Sequence, residues 1–379
     1  MSSTTNETNE MTPNVAEEKD SEYENTGDYS WTFIHNQQEE KIPIMGYGNV
    51  PIPSQHNINL LGQDRSISIR CITWNINDKN VKILSKLTEQ LSKVSNEQFG
   101  DIVCIVLQEI PPSSTRFHEE ALKLLNESLP KSHCLFFSNR SWSQMMVMYM
   151  NKAHLRYATE PKIKFVASAP IPKPLRTKGG IGVCFRLYQR WIVVIGCHLS
   201  HGSMQNRIQD YGKIVKNLKF PNLQQFSGME SVLAADAVIW MGDLNFRVHT
   251  DLGLNWKQKE ANNPEDIRRV MDFDGLTQSR QKALAFMEFE EGNISFPPTH
   301  KYELGSDEYV KDRIPSYTDR VLYYSQNALW ISVKDYNTIS GPTQSDHRPV
   351  YCLLKINVIN NPVPQSNRDN AEAIIQQPI

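Results

Sequence analysis

The stretch Val232-Leu-Ala-Ala-Asp-Ala-Val-Ile-Trp240-Met-Gly-Asp243-Leu-Asn245-Phe-Arg247 decides how the rest of the chain is read. Val232 to Trp240 is apolar apart from Asp236 and predicts a buried strand. Asp243 and Asn245 follow at spacing two, which in extended chain puts both side chains on one face. A carboxylate beside an amide at a strand end can orient a water or hold a phosphate near a metal. A strand that closes in an Asp/Asn turn is an equally simple reading of the same residues. Its company in the chain separates the two.

Working outward, other apolar runs end in the same manner. Strands are expected at Ser66–Trp74, Ile102–Leu107, His133–Phe137, Met145–Met150, Ile163–Ala167, Gly182–Leu187, Trp191–Cys197, Arg320–Tyr324 and Pro349–Ile356. Amphipathic helices are expected over Val81–Val94, Ile208–Leu218, Pro264–Met271 and Gln281–Phe289. Asn75, Glu109, His198, Asp243 with Asn245, Asp319 with Arg320, and Asp346 with His347 stand at or near strand ends. Six such endings predict loops converging on one site. Many short strands with interspersed helices predict an α/β fold, a two-sheet sandwich flanked by helices.

Composition bounds the alternatives. At 379 residues the chain can hold one large α/β domain. Residues 1–30 carry eight acidic residues against Lys19, a net of −7, and are expected to be disordered. The total is −2, so the remainder is at +5. That mild excess suits an anionic substrate and is too small for a dedicated nucleic-acid binder. Residues 31–65 read as an irregular extension, 66–358 as the folded body and 359–379 as a flexible tail. No apolar run has the length of a membrane span, and no leader or lipid anchor is legible. The six cysteines form no CxxC pair and read as reduced core residues of a cytoplasmic protein. Cys134-x5-Arg140 and Cys184-x5-Arg190 imitate a cysteine-phosphatase loop, but their intervening residues contain no Gly and read as strands.

The inventory of strand ends fits metal-dependent phosphoester hydrolysis. A hard Mg²⁺ ion takes carboxylate and amide oxygens together with waters and substrate oxygens. A carboxylate orients the attacking water, and His and Arg groups stabilise the phosphoryl oxygens.

Trp-Met-Gly-Asp-Leu-Asn-Phe-Arg (240–247) and Ile-Pro-Ser-Tyr-Thr-Asp-Arg-Val-Leu (314–322) resemble the two signatures of the inositol polyphosphate 5-phosphatases. Thr-Trp-Asn (73–75), Leu-Gln-Glu (107–109), His-Leu-Ser (198–200) and Ser-Asp-His-Arg-Pro-Val (345–350) are similar to the wider superfamily pattern. The resemblance implies the sandwich of the endonuclease/exonuclease/phosphatase type, with Mg²⁺ at Asn75 and Glu109. It implies that Asp243 activates water and Asn245 holds phosphate. His347, oriented by Asp319, contacts the scissile group, with Asp346 and His198 completing the shell. Lys301, Lys311 and Arg313 match the family's grip on a neighbouring 4-phosphate, and Lys178, His300 and Arg320 are expected to help bind substrate. His300 and Tyr317 stand where the family has Tyr and Trp, and Ile208 replaces an Asn. A Pro-rich run, Pro170 to Thr177, precedes Lys178 in place of a Gly-rich one.

The expected partners are a phosphoinositide or soluble inositol phosphate and, transiently, a peripheral membrane surface met through Lys173, Arg176 and Lys178. No nucleic acid is expected, and the chain is expected to act as a monomer. A nuclease of the same superfamily and a catalytically silent phosphoinositide-binding module are the rival readings.

Overall fold

In the computed structural model, the described residues are 50–112, 114, 116–168, 178–228, 231–248 and 263–360. The acidic N-terminus, the extension before residue 50, Lys173, Arg176 and the tail beyond residue 360 lie outside them.

Among the described residues, twelve strands form two sheets of six. The first contains β1 (Ser66–Asn75), β2 (Ile102–Gln108), β3 (His133–Ser141), β4 (Gln144–Asn151), β11 (Ile331–Thr338) and β12 (Val350–Asn357), in the order β11-β12-β1-β2-β4-β3. The second contains β5 (Lys162–Ala167), β6 (Gly179–Leu187), β7 (Arg190–His198), β8 (Ala237–Asp243), β9 (Glu290–Glu291) and β10 (Asp319–Ser325), in the order β5-β6-β7-β8-β10-β9. One apolar cluster fills the space between the sheets, where Ile69, Val106, Met146, Val194 and Met241 are buried. A second lies between the other sheet face and helix Met204–Asn217, and a third beneath helices Ser85–Ser92 and Arg116–Ser128. Burying each large aliphatic residue contributes roughly 1.5–3 kcal/mol. Among the described residues no helix is long and apolar enough to cross a membrane.

Topology places the site. Each sheet has one parallel pair at its centre, β1 with β2 and β7 with β8. Covered on both faces, β2, β7 and β8 are apolar almost throughout, which is why Ile102–Leu107 and Trp191–Cys197 read as unbroken runs. Parallel strands end at the same edge. Asn75 is therefore level with Gln108, and His198 with Asp243. The antiparallel neighbours begin there, since Asp319 pairs with Asp243 and Gly179 with His198. Gly242 makes the tight β7–β8 approach: at φ +147° a Cβ there would lie 2.0 Å from Cys197 O.

Several expectations are corrected. Val232–Ala234 is a 3-10 turn and the strand starts only at Ala237, because Asp236 turns its carboxylate to accept the Trp191 N–H at 2.7 Å. The helix expected at Gln281–Phe289 is instead Gly275–Gln281, capped by Asp274 accepting from Thr277 N. Beyond it Ala283 and Phe286 take positive φ, and Phe286 and Phe289 pack edge-on to Trp240. Helical spacing there reflects an aromatic cluster on turns. Val81–Val94 divides into a 3-10 turn and helix Ser85–Ser92. Helix Arg116–Ser128 and strands β9 and β11 were not expected.

The cysteines are all free; Cys134-x5-Arg140 lies on β3, and Cys184-x5-Arg190 runs from β6 into the start of β7. Burial pushes the Cys134 thiol up to about 11 and Cys184 higher, the reverse of an activated thiolate. The Met145–Met150 run is wholly buried core.

Candidate active site

The carboxyl ends of β1, β2, β7 and β8 bring Asn75, Glu109, His198 and Asp243 together. Asp243 is the hub. Its Oδ2 accepts from Asn75 Nδ2 at 3.0 Å and lies 3.2 Å from His198 Nε2 and 4.0 Å from His347 Nε2. Burial alone would raise its pKa, but the His198 hydrogen bond and the charges of His347 and Lys178 hold it well below the usual carboxylate range. The carboxylate is only 1 % exposed, so its ionisation depends on these partners.

Asp243 and Asn245 are near each other for a different reason from the one the spacing suggested. Asn245 has φ +56°, and its N–H donates to Asp243 Oδ1 at 3.0 Å. The pair is an Asx turn and the extended geometry ends at Asp243. The turn nevertheless fixes the amide: Asn245 Nδ2 donates to Leu199 O at 2.9 Å, and Oδ1 accepts from Arg247 NH2 at 2.5 Å. One amide hydrogen is left over.

His347 lies on the loop before β12, held by Trp74 Nε1 donating to its carbonyl at 3.1 Å and by Ser345 bonding Asn75 O at 2.6 Å. Its Nδ1 faces Asp319 Oδ2 at 2.9 Å, and that oxygen also accepts from Thr299 and Thr318 at 2.7 and 2.8 Å. Burial would lower the His347 pKa, but the Asp319 charge and hydrogen bond raise it to about 9. The imidazole is therefore cationic at neutral pH. His198 is the opposite case, held neutral by burial and by Lys178, whose ammonium donates to its Nδ1 at 3.2 Å.

Glu109, at φ +52°, swings its half-exposed carboxylate to 3.7 Å from His198 and 3.8 Å from Lys178. Lys178 thus joins the strand-end cluster. Two further donor groups converge, His300–Asp346–His347 and Asp243–Asp319–His347. In both, His347 already commits Nδ1 to Asp319.

The presumed substrate residues divide. Lys301 is 40 % exposed and pairs with Asp346 at 3.1 Å. Arg313 is exposed and near enough for its charge to oppose that of Arg247, while Lys311 is exposed on the same turn. Their loop is braced by stacked Tyr302 and Tyr309, whose hydroxyls both reach Pro298 O. Arg348 lies over the Tyr302 ring and donates to Ser306 O at 3.0 Å. His300 is buried between Arg247, which donates to its Nδ1 at 2.8 Å, and the His347 ring at 4.3 Å; burial and both cations keep it neutral.

Arg320 does not join them. It is fully buried, in ion pairs with Asp274 at 2.9 Å and Glu291 at 2.6 Å, and ties β10 to β9 and to helix Gly275–Gln281. Its expected role in binding substrate is replaced by a structural one. Arg247 is the residue sequence reading left without a role, although it closes the same motif; two residues after Asn245, it could have been marked as a partner of that amide.

A family model described as Endonuclease/Exonuclease/phosphatase family 2 matches residues 72–353. The phosphatidylinositol polyphosphate 5-phosphatase type IV of Mus musculus is 30% identical over 310 residues, 78% of this chain and 46% of that protein. The type II inositol 1,4,5-trisphosphate 5-phosphatase of Mus musculus is 28% identical over 273 residues, 68% of this chain and 27% of that one. The chain thus spans about half the length, or less, of these relatives. The inositol polyphosphate 5-phosphatase domain of SPsynaptojanin, solved with inositol (1,4)-bisphosphate and a calcium ion, superposes with a TM-score of 0.65 at 20% identity. That match covers 82% of this chain and 93% of that one. Cimex nitrophorin, solved as a ferrous NO complex, superposes with a TM-score of 0.62 at 22% identity, over 77% of this chain and 99% of that one. One sandwich carries both, so the fold alone does not choose an activity.

Proposed function

The chain belongs to the Endonuclease/Exonuclease/phosphatase family 2, and from that membership we propose that it hydrolyses the 5-phosphate of inositol phosphates or phosphoinositides. The observation that carries this reading is the buried, ionised Asp243, held by Asn75 and His198 and facing the His347–Asp319 pair.

The donors suit a hard divalent ion. Glu109 keeps its nearest cations beyond hydrogen-bond length, and Asn75 Oδ1 accepts only from Asn77 N at 3.0 Å, leaving a lone pair. Mg²⁺ bound by Glu109 and Asn75 would supply charge neutralisation at a phosphoryl oxygen. The chain's own groups do the rest. Asp243 accepts a hydrogen bond from the attacking water and aims it at phosphorus. Its depressed pKa makes it an orienting acceptor more than a strong base, which suffices where bond breaking to the leaving group leads. The spare Asn245 amide hydrogen and the His347 imidazolium donate to phosphoryl oxygens. Lys178 adds a cation at the same edge. Lys301 and Arg313 approach a phosphate on the adjacent ring carbon, and a polyanionic headgroup displaces Asp346 from Lys301.

A phosphate-release panel tests the reading. Phosphatidylinositol 4,5-bisphosphate, the 3,4,5-trisphosphate, soluble inositol trisphosphate and abasic DNA are compared with Mg²⁺ and with EDTA. Release from the inositol substrates, abolished by EDTA, is expected. No release from any of them would sink the proposal, and DNA cleavage would transfer it to a nuclease.

A further inference from the structure

Strand β5 is the edge of the second sheet, and its residues alternate in burial. Val166 joins the apolar cluster beneath helix Met204–Asn217, with Cys184, Ile214 and Leu218. The period of two then turns Lys162 and Lys164 toward that same outer face. The helix contributes Lys213 and Lys216, and Lys219 follows its end.

Helix and strand run side by side in opposite directions. Lys213 Nζ donates to Ser168 O at 2.8 Å, just past one end of the strand. Near the other end, Lys219 and Phe220 share a hollow of about 400 Å³ with Lys162, Ile163 and Lys164. Five lysines thus lie along a strip roughly 20 Å long, six residues of strand at about 3.4 Å each. Glu160 pairs with Lys162 at 2.6 Å. Lys164, Lys216 and Lys219 are exposed.

The strip leads to the site. Ala167 pairs with Gly179, Gly179 with His198 and His198 with Asp243, so the Ser168 end of the strip meets the edge that carries the catalytic cluster.

We propose that this lysine strip docks the protein on an anionic lipid bilayer, holding the strand-end site against headgroups in the membrane plane. Its purpose rests on the phosphoinositide reading, whereas the docking itself is independent of turnover. A bilayer suits the strip better than a polynucleotide does, because Lys162, Lys164 and Lys219 rim a hollow floored by apolar Phe220 and Pro221. Lysine near an anionic surface strengthens binding about fivefold per residue, and the gain is screened by salt.

The full chain is sedimented with phosphatidylcholine vesicles, with and without phosphatidylserine and free of phosphoinositide, at low and high salt. Binding should require phosphatidylserine and fall at high salt. The pair Lys164→Glu with Lys216→Glu should bind at least about 25-fold more weakly. Its hydrolysis of soluble inositol trisphosphate should stay within about twofold, because neither residue touches the site. Should charge reversal lower Tm, Lys164→Gln with Lys216→Gln decides, with an intermediate loss expected. Unchanged vesicle binding in the folded variants, binding independent of phosphatidylserine, or strip-dependent binding of duplex DNA without vesicle binding would each overturn the proposal. An intact protein that docks yet releases no phosphate would refute the hydrolase reading and leave the docking surface standing.

Discussion

Asp243 and Lys301 stand for two parts of one site that are built differently. Asp243 is 1 % exposed, at the end of a strand paired on both sides, and every partner around it comes from another strand end or the loop beside it. Lys301 is 40 % exposed on a loop held by aromatic stacking, with Asp346 as its ion-pair partner. The first part is pre-organised, so its groups need little rearrangement during reaction. The second is more solvated and adaptable, and a partly exposed pair such as Lys301–Asp346 contributes on the order of 1 kcal/mol. Chemistry should therefore fail steeply when the strand ends are altered, and selectivity should change gently when the loop is.

The largest break expected is Asp243→Ala. Loss of the orienting carboxylate should lower kcat by on the order of 10³-fold or more while headgroup affinity, measured by calorimetry, stays within a few-fold. Parallel loss of affinity would merge the two regions. Asp319→Asn comes next, at about 10²-fold in kcat. The His347 pKa is raised to about 9, so the imidazolium is present below that value and is lost as pH rises through it. Activity of the intact chain should fall on the alkaline side near pH 9, and Asp319→Asn should move that limb to lower pH. An unmoved limb would deny Asp319 this role.

Arg320→Leu sharpens the comparison from the structural side. It leaves Asp274 and Glu291 buried without their cation, a loss of about 3–5 kcal/mol in denaturant unfolding. Substrate ranking in the folded fraction should not change. Lys301→Ala should raise KM roughly tenfold for a substrate carrying a 4-phosphate and leave kcat and 4-dephospho substrates alone. Lys311→Ala, an exposed cation, should shift KM by no more than a few-fold.

These regions were also unequally legible. The strand ends of the candidate site could be read because strands buried on both faces write continuous apolar runs, and a polar residue closing such a run stands out. Glu109, His198 and Asp243 stand out in that way, while Asn75 follows the mixed strand Ser66–Trp74. Strand β11 was hidden because it is an edge strand with a bulge between Val333 and Asp335 that breaks its alternation. Helix Arg116–Ser128 carried a signal that the reading missed, Phe117, Ala121 and Leu125 at spacing four. Arg320 misled because sequence proximity to Asp319 does not reveal that successive strand residues face opposite sides. The Asx turn at Asp243–Asn245 was one of two open readings, because spacing two is shared by strands and turns, and the φ of Asn245 decides between them.

The central claim is that the strand-end cluster removes one defined phosphate. The most direct test follows soluble inositol 1,4,5-trisphosphate by ³¹P NMR with the full chain and Mg²⁺. Loss of the 5-phosphate resonance, with the 1- and 4-phosphates retained and inorganic phosphate appearing in equal amount, is the result expected. Loss of the 1- or 4-phosphate first, or a spectrum that stays unchanged, would contradict it.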